Sequence, residues 1–346
     1  MGAAEVLPLS LAQEVQSMPR ITNSDITTFL SIKEFEFTNL ALDLYQRHLC
    51  HQGIYAEWVK LLHKSDKTVN CIEDIPFLPI SLFKHHIVSL FNEHEGTFTS
   101  SSTNGQGISK HYFHALQDYV LTFRKGFKMI YKKESFDALV ALLPGYLDRQ
   151  GSSLVYMVHD LMKEHIGDGA FFKNNYKEAA KYIEEQTIKN RKVLLFGVTF
   201  GLLNLLELNT NINWNFVTVI ETGGMKGHGK ELTRSELYEK LESKWTGVRL
   251  DSEYGMTELT SQAYAIKNTG RFYPPAWMKV LIKDKSDPQK IIGFHKTGKI
   301  CIIDLTNYHS CPFIETDDLG RLYPDGSFEV LGRIDHSDIR GCNLLL

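Results

Sequence analysis

Two stretches of the chain hold side chains whose types and spacing fit nucleotide chemistry. The first, Ser100-Ser-Ser-Thr-Asn-Gly-Gln-Gly-Ile-Ser-Lys110, sets hydroxyls ahead of a Gly-x-Gly turn and a lysine. Hydroxyls and exposed backbone N–H groups hold phosphate oxygens, and glycine lets the backbone curl around them. A lysine at the rim adds a compact positive charge. No Gly-x-x-x-x-Gly-Lys-Ser/Thr can be read there, so this is not a Walker A loop, and an ordinary polar loop has the same composition. The second, Asp251-Ser-Glu-Tyr-Gly-Met-Thr-Glu258, gathers an aromatic, a glycine, a hydroxyl and a carboxylate. Tyrosine can stack on a base, threonine can bond a phosphate, and glutamate can hold the Mg²⁺ that accompanies a nucleotide. A loop with a buried tyrosine and a capping threonine reads identically.

Further groups lie downstream. Thr316-Asp-Asp-Leu-Gly320 offers adjacent carboxylates, which accept from ribose hydroxyls but are also common in turns. In Gly332-Arg333-Ile334-Asp335 a guanidinium stands beside a turn acid, able to reach ribose or phosphate or to form a surface ion pair. The five cysteines (Cys50, Cys71, Cys301, Cys311, Cys342) are scattered without Cys-x-x-Cys spacing, a pattern that suits a reducing compartment and no zinc site. Cys342 follows Arg340-Gly341 close to the end of the sequence. Arginine nearby lowers a thiol's pKa and glycine allows the sulfur to move, so Cys342 is either an ordinary tail cysteine or a nucleophile. Cys311 is its rival, whereas Cys50, Cys71 and Cys301 read as core or strand residues. None of the 14 histidines has metal-ligand spacing; His228, in a glycine-rich loop, is the one to watch, and His85, His86, His111 and His114 read as surface or helix residues. The absence of the Gly-x-Ser-x-Gly elbow of esterases argues against a serine hydrolase.

The elements that must position these groups fall into three textures. Residues 1–95 read as helices with short connections: Phe29, Ile32, Phe35, Phe37, Leu40, Leu42 and Tyr45 follow helical spacing, and Asn23-Ser24-Asp25 is a helix start. From Gly96, short apolar runs alternate with helical patterns. Strands are expected at Ala138–Leu143, Lys192–Phe196, Asn215–Ile220 and Gly247–Asp251, with a helix over Gly201–Leu208. That alternation predicts an α/β fold with a parallel sheet, whose site lies in the loops after the strand C-termini. Beyond about residue 270 the pattern turns to antiparallel strands at Ala276–Ile282, Gly298–Asp304, Gly320–Tyr323 and Ser327–Val330, with Asp325-Gly326 as a hairpin turn.

Composition narrows the partners. With 346 residues, 43% hydrophobic and 23% charged, the chain can bury a large core, and a net charge of −3 without basic runs argues against nucleic acid. The most apolar segment, Val193–Leu208, is too short and too interrupted to span a bilayer, and Met-Gly-Ala-Ala-Glu-Val resembles neither a signal peptide nor a myristoylation signal. A cytoplasmic location is expected.

It is the order of the segments that carries a resemblance. Ser/Thr/Gly…Lys110, then Glu221-Thr-Gly-Gly224, Tyr254-Gly-Met-Thr-Glu258, Thr316-Asp-Asp and Gly332-Arg-Ile-Asp335 together resemble the adenylate-forming superfamily of acyl-CoA synthetases and luciferases. Within it, Pro144-Gly-Tyr-Leu-Asp-Arg-Gln-Gly-Ser-Ser-Leu-Val-Tyr-Met157, Ser310-Cys-Pro-Phe-Ile-Glu-Thr-Asp-Asp-Leu-Gly320 and Arg340-Gly-Cys-Asn343 look most like LuxE-type acyl-protein synthetases, the long-chain-fatty-acid–protein ligases. The resemblance implies a helical N-terminal portion (1–95), an adenylate-forming α/β core (96–335) with a β-rich C-terminal part, and a short tail (336–346) in place of a mobile C-terminal domain. It implies ATP and Mg²⁺, with Ser101, Ser102, Thr103, Gly105 and Lys110 on the phosphates, Tyr254 stacked on adenine, Thr257 at the α-phosphate and Glu258 on the metal. Asp318, with Arg333 nearby, would take the ribose, Asp317 offering a second acceptor where the pattern has glycine. Gly223 and Gly224 would let backbone approach the adenylate. The lysine of the mobile domain has no counterpart, which turns attention to Lys110 and Lys226. Cys342 would then receive the acyl group and pass it to an acyl reductase or another acceptor. Delivery of acyl or aryl groups to coenzyme A or a carrier protein, and a non-catalytic nucleotide- or acyl-binding module, stand as alternatives.

Overall fold

The computed structural model describes residues 24–51, 53–62, 69–100, 107–143, 151–223, 232–287 and 290–334. The described residues begin with helices α1 (Ser24–Leu30), α2 (Phe37–Cys50) and α3 (Ile54–Leu61), then strand β1 (Leu78–Pro79) and a hairpin of β2 (Gly96–Thr99) and β3 (Lys110–Phe113). An alternating run follows: α4 (Leu116–Tyr131), β4 (Ala138–Leu142), α5 (Ser153–Leu161), β5 (Gly169–Phe171), α6 (Tyr176–Ile188), β6 (Val193–Gly197), α7 (Thr199–Leu206), β7 (Val217–Thr222), α8 (Arg234–Lys244), β8 (Arg249–Tyr254) and β9 (Ala263–Ala265). The last part is β10 (Met278–Lys283), β11 (Ile291–Ile292), β12 (Thr297–Asp304), β13 (Phe313–Leu322) and β14 (Phe328–Arg333).

The alternating run forms one sheet in the order β5-β4-β6-β7-β8-β9, parallel except for the antiparallel β8–β9 pair. Its central strands, such as Val193–Gly197, are buried at every residue. Such unbroken apolar runs belong to parallel strands covered on both faces. One face packs Leu194, Phe196 and Ile220 against Phe123 and Phe127 of α4 and Val158 and Leu161 of α5. The other packs Leu195, Val217 and Val219 against Ile183 of α6, Leu202 and Leu205 of α7 and Leu237 of α8. The C-terminal ends of β7 and β8 therefore lie at the same edge of the sheet.

The second sheet runs β1-β13-β12-β10-β11, with β14 paired to β13. Its apolar face shares a core with the N-terminal helices, where Phe29 meets Tyr308 and Tyr45 and Tyr55 meet Phe313. Phe35 departs from the helical reading: it lies in a single 3₁₀ turn, Glu34–Glu36, and is 75% exposed.

Three elements differ from the sequence reading. The strand expected to end at Asp251 continues through Ser252 and Glu253 to Tyr254. Thr316–Gly320 lies inside the ten-residue β13 rather than ahead of a turn. The hairpin β2–β3 brackets the serine-rich segment, placing His111 in a strand where a surface or helix residue was expected. Polar residues with low strand propensity occupy these strands because their side chains bond to neighbouring elements, which local patterning does not report.

Candidate functional site

The hairpin sets the first part of the site. Ladder bonds run Gly96↔Phe113 to Thr99↔Lys110. One step further, the Ser100 amide donates to the Ser109 carbonyl at 3.0 Å and the Ser109 amide to the Ser100 hydroxyl at 2.9 Å. Ser101, Ser102, Thr103 and Gly105 lie in the intervening 101–106, outside the described residues. Gly107 ends that stretch with φ +89°, a backbone that favours glycine, against Lys84 and His85. Side chains alternate along the strand, so Ser109 and His111 face inward, 2% and 1% exposed, while Lys110 faces outward and is exposed.

The inward pair meets the segment after β8. His111 Nδ1 lies 2.8 Å from the Thr257 carbonyl oxygen, which can only accept, so the ring carries its proton on Nδ1. Burial lowers the His111 pKa to about 4, keeping it neutral near pH 7. The next carbonyl, of Glu258, accepts from Asn307 Nδ2 at 2.9 Å. The amides of Thr260 and Ser261 donate to Asp304 Oδ2 at 3.2 and 2.9 Å. Asp304 is fully buried and also accepts from the hydroxyls of Ser261 (2.8 Å) and Thr306 (2.6 Å). Burial raises its pKa, and those hydrogen bonds oppose the shift. Consecutive backbone groups of this segment are thus held by side chains from two other parts of the chain.

Tyr254 closes the site on the other side. Its ring, 8% exposed, packs against Phe272 and Phe328, and its hydroxyl donates to Asp318 Oδ2 at 2.8 Å. Asp318 and Arg333 are ladder partners on β13 and β14, and Arg333 Nε donates to Asp318 Oδ1 at 3.1 Å. Asp318 is buried, whereas the Arg333 side chain is 82% exposed. Glu258 is buried too. Burial raises its pKa, while a bond from the Ser109 hydroxyl and the charges of Arg333 and Lys84 draw it back down. At the end of β7, Gly223 has φ +75° and its carbonyl oxygen lies 2.9 Å from the Thr199 hydroxyl.

The structure therefore joins Tyr254, Asp318 and Arg333 by direct contact and sets Glu258 within the electrostatic reach of Arg333. Thr257 is pinned by its backbone, and Lys110 points away from the face that its neighbour Ser109 presents. Gly224, Lys226, His228 and Cys342 lie outside the described residues. Cys311 is fully buried with its thiol pushed up to about 12, which withholds the thiolate a nucleophile needs. Sequence reasoning missed Lys84, Ser109, His111, Asp304 and Asn307. No local pattern over 109–113, Ser-Lys-His-Tyr-Phe, marks an inward-facing hairpin.

The donor set fits a nucleotide. Each Asp318 oxygen keeps a lone pair after its bond to Tyr254 or Arg333, enough for a ribose diol. Among the described residues no three His, Cys, Asp or Glu side chains group as a metal cage. Mg²⁺ habitually takes one or two carboxylates plus substrate phosphates, which Glu258 alone can satisfy.

No family model matches the chain. The α/β core has the fold of the adenylate-forming ligases. It matches the ATP-bound MatB of Rhodopseudomonas palustris at a TM-score of 0.51 and 15% identity, covering 68% of this chain and 47% of that one. It matches a long-chain-fatty-acid-CoA ligase (FadD1) of Archaeoglobus fulgidus at 0.51 and 14% identity, covering 70% and 52%. The chain spans about half the length of these solved structures. In sequence, 68 residues are 41% identical to the long-chain-fatty-acid–luciferin-component ligase of Photorhabdus luminescens, covering 19% of this chain and 58% of that protein. Fold and sequence likeness thus meet the resemblance read from the ordered motifs. Among the described residues, no helix is long and apolar enough to cross a membrane.

Proposed function

We propose that the protein activates a long-chain carboxylic acid with ATP and transfers the acyl group to its own Cys342. The observation that carries this reading is the contact of Tyr254 with Asp318, 64 residues further on, together with a Glu258 whose pKa the Arg333 charge lowers, on a fold shared with adenylate-forming ligases. Asp318 accepts the ribose hydroxyls, and Arg333 orients its carboxylate. Glu258 would hold Mg²⁺, which neutralises phosphate charge when bound. Tyr254 stacks on the adenine and ties that contact to Asp318, while Thr257, fixed by His111, faces the α-phosphate. The serine-rich segment 101–105 holds the remaining phosphates, and Gly223 and Gly224 give backbone access to the adenylate.

In the first step a carboxylate oxygen attacks the α-phosphorus. The bond from that phosphorus to the bridging oxygen breaks, and pyrophosphate leaves. Positioning and charge stabilisation supply most of the acceleration for such a transfer. In the second step the Cys342 thiolate attacks the acyl carbon, its proton having gone to solvent. The acyl–phosphate bond breaks and AMP leaves, giving a thioester. An acyl reductase is the acceptor we favour thereafter.

Pyrophosphate exchange over a panel of acids, read with intact mass after incubation with MgATP, tests this. Exchange with a mass increase of one acyl group, abolished by Cys342→Ser, is the expected result. A thioester that persists in Cys342→Ser overturns the acceptor. Exchange that yields only acyl-CoA moves the protein to the coenzyme A ligases. ATP binding without exchange for any acid reduces it to a binding module.

A further inference from the structure

The ends of β7 and β8 carry two buried acids that this reading leaves unused, Glu221 and Glu253, 7% and 8% exposed. The strands pair Glu221↔Ser252 and Thr222↔Glu253. Registered partners share a face and successive residues alternate, so the two acids lie on opposite faces of the sheet. Each bonds across to the other strand: the Ser252 hydroxyl donates to Glu221 Oε2 at 3.0 Å, and the Thr222 hydroxyl donates to Glu253 Oε2 at 2.5 Å. On the Glu221 face, the Thr199 hydroxyl stands 2.8 Å from Glu221 Oε1 and 2.9 Å from the Gly223 carbonyl oxygen. On the Glu253 face, Gly255 approaches so closely that a Cβ there would fall 2.3 Å from Glu253 Oε1. Gly223 stands two residues beyond Glu221 and Tyr254 one residue beyond Glu253, at the start of both candidate nucleotide loops.

We propose that Glu221 and Glu253 are positioning residues that clasp the ends of β7 and β8 from both faces of the sheet, holding the Gly223 turn in register with Tyr254–Glu258. This rests on the ligase reading above. The two acids differ in surroundings. Arg234 on α8 lies 3.8 Å from Glu221 and stacks on Phe272, and Tyr238 of the same helix bonds to Ser252. Burial raises the Glu221 pKa, and Arg234, Thr199 and Ser252 oppose the rise. The titratable groups facing Glu253 are Tyr119 on α4, Tyr264 on β9 and Glu221 itself. Burial pushes Glu253 up to about 7, the Thr222 hydroxyl pulls it back, and the Glu221 charge pushes it further up. Glu253 clasps in its neutral form, and ionising it sets a second buried negative charge beside Glu221.

The test is pyrophosphate exchange by the full chain from pH 5.5 to 9, with saturated fatty acids of graded length as probes. Urea unfolding is followed over the same range. The wild-type kcat should fall above about pH 7 while KM for ATP holds. Glu253→Gln, permanently neutral, should keep the low-pH kcat and lose the inflection. Glu253→Ala should lower kcat about tenfold or more at every pH, since small misplacements of reacting groups cost that much. An inflection that survives in Glu253→Gln, or a wild-type kcat in Glu253→Ala, overturns the proposal. If the wild type exchanges with no acid, the ligase reading fails and unfolding decides the clasp. A wild-type stability that declines relative to Glu253→Gln between pH 5.5 and 7 supports it; equal slopes in the two proteins overturn it.

Discussion

The segment 257–261 and the pair Asp318–Arg333 both belong to the candidate site but are built on opposite physical terms. In the first, successive backbone groups are bound by buried side chains, His111, Asn307 and Asp304, each from another part of the chain. In the second, one buried carboxylate meets a guanidinium whose side chain is 82% exposed. The buried segment fixes geometry before any ligand arrives. The exposed arginine is free to exchange water for a ligand at small cost to the fold. Mutations should therefore separate them: large losses of stability in the first region, losses of function alone in the second.

Asp304→Ala should have the largest effect. It leaves the Thr260 and Ser261 amides and the Ser261 and Thr306 hydroxyls without their acceptor, at a cost of about 4 kcal/mol by the scale of broken buried charge networks. Urea unfolding at pH 7 reads it. Asp304→Asn, which turns an amide donor toward existing donors, should cost about half as much. A loss under 1 kcal/mol for the alanine variant would show that the segment is not anchored through Asp304.

His111→Phe comes next, at about 2 kcal/mol near pH 7, because the Thr257 carbonyl loses its donor. The pH dependence has a fixed sign. The His111 pKa of about 4 lies below the unfolded value near 6.5, so the unfolded chain binds the proton more tightly. The wild type keeps this contribution above pH 6.5 and loses it as the pH falls toward 4, by up to about 3 kcal/mol. The phenylalanine variant lacks that dependence, so its deficit should shrink or vanish in unfolding measured at pH 4.5. A deficit constant between pH 7 and 4.5 would place the proton elsewhere.

Tyr254→Phe tests the join between the two regions. It removes a hydrogen bond to a carboxylate while keeping the ring against Phe272 and Phe328, and should cost about 1.5 kcal/mol. ATP affinity should weaken as well, because Asp318 is then oriented by Arg333 alone. An unchanged unfolding midpoint with unchanged affinity would show that the hydroxyl orients nothing.

Which of these features were legible beforehand follows the same division. The parallel sheet was legible, because a strand such as Val193–Gly197 is apolar without interruption and buried on both faces. Tyr254, Asp318 and Arg333 were singled out from the ordered motifs, and the structure brings those three into contact. The anchors were not. Little local to Asp304 marks it as a hub: apart from Thr306, its donors lie more than 40 residues away, at Thr260 and Ser261. His111 read as a surface residue because five of the eight positions of the hairpin that buries it are polar or glycine, and only Phe98 and Phe113 are buried hydrophobic residues that suggest a strand core. Polar residues that serve tertiary bonds leave no periodicity to read.

Arg333→Ala should perturb the fold least. An ion pair with one partner 82% exposed is screened and contributes under about 1 kcal/mol, so the urea midpoint should barely move. Function should respond differently, because the same guanidinium orients Asp318 and draws down the Glu258 carboxyl. Pyrophosphate exchange should fall about tenfold or more, a loss near 1.4 kcal/mol that exceeds the structural contribution of the pair. Lysine at 333 keeps the charge but not the planar fork and should recover only part of the rate. The converse result, a destabilised protein with normal exchange, would make Asp318–Arg333 a strut of β13 and β14. The exposed half of the site would then be no different in kind from the buried one.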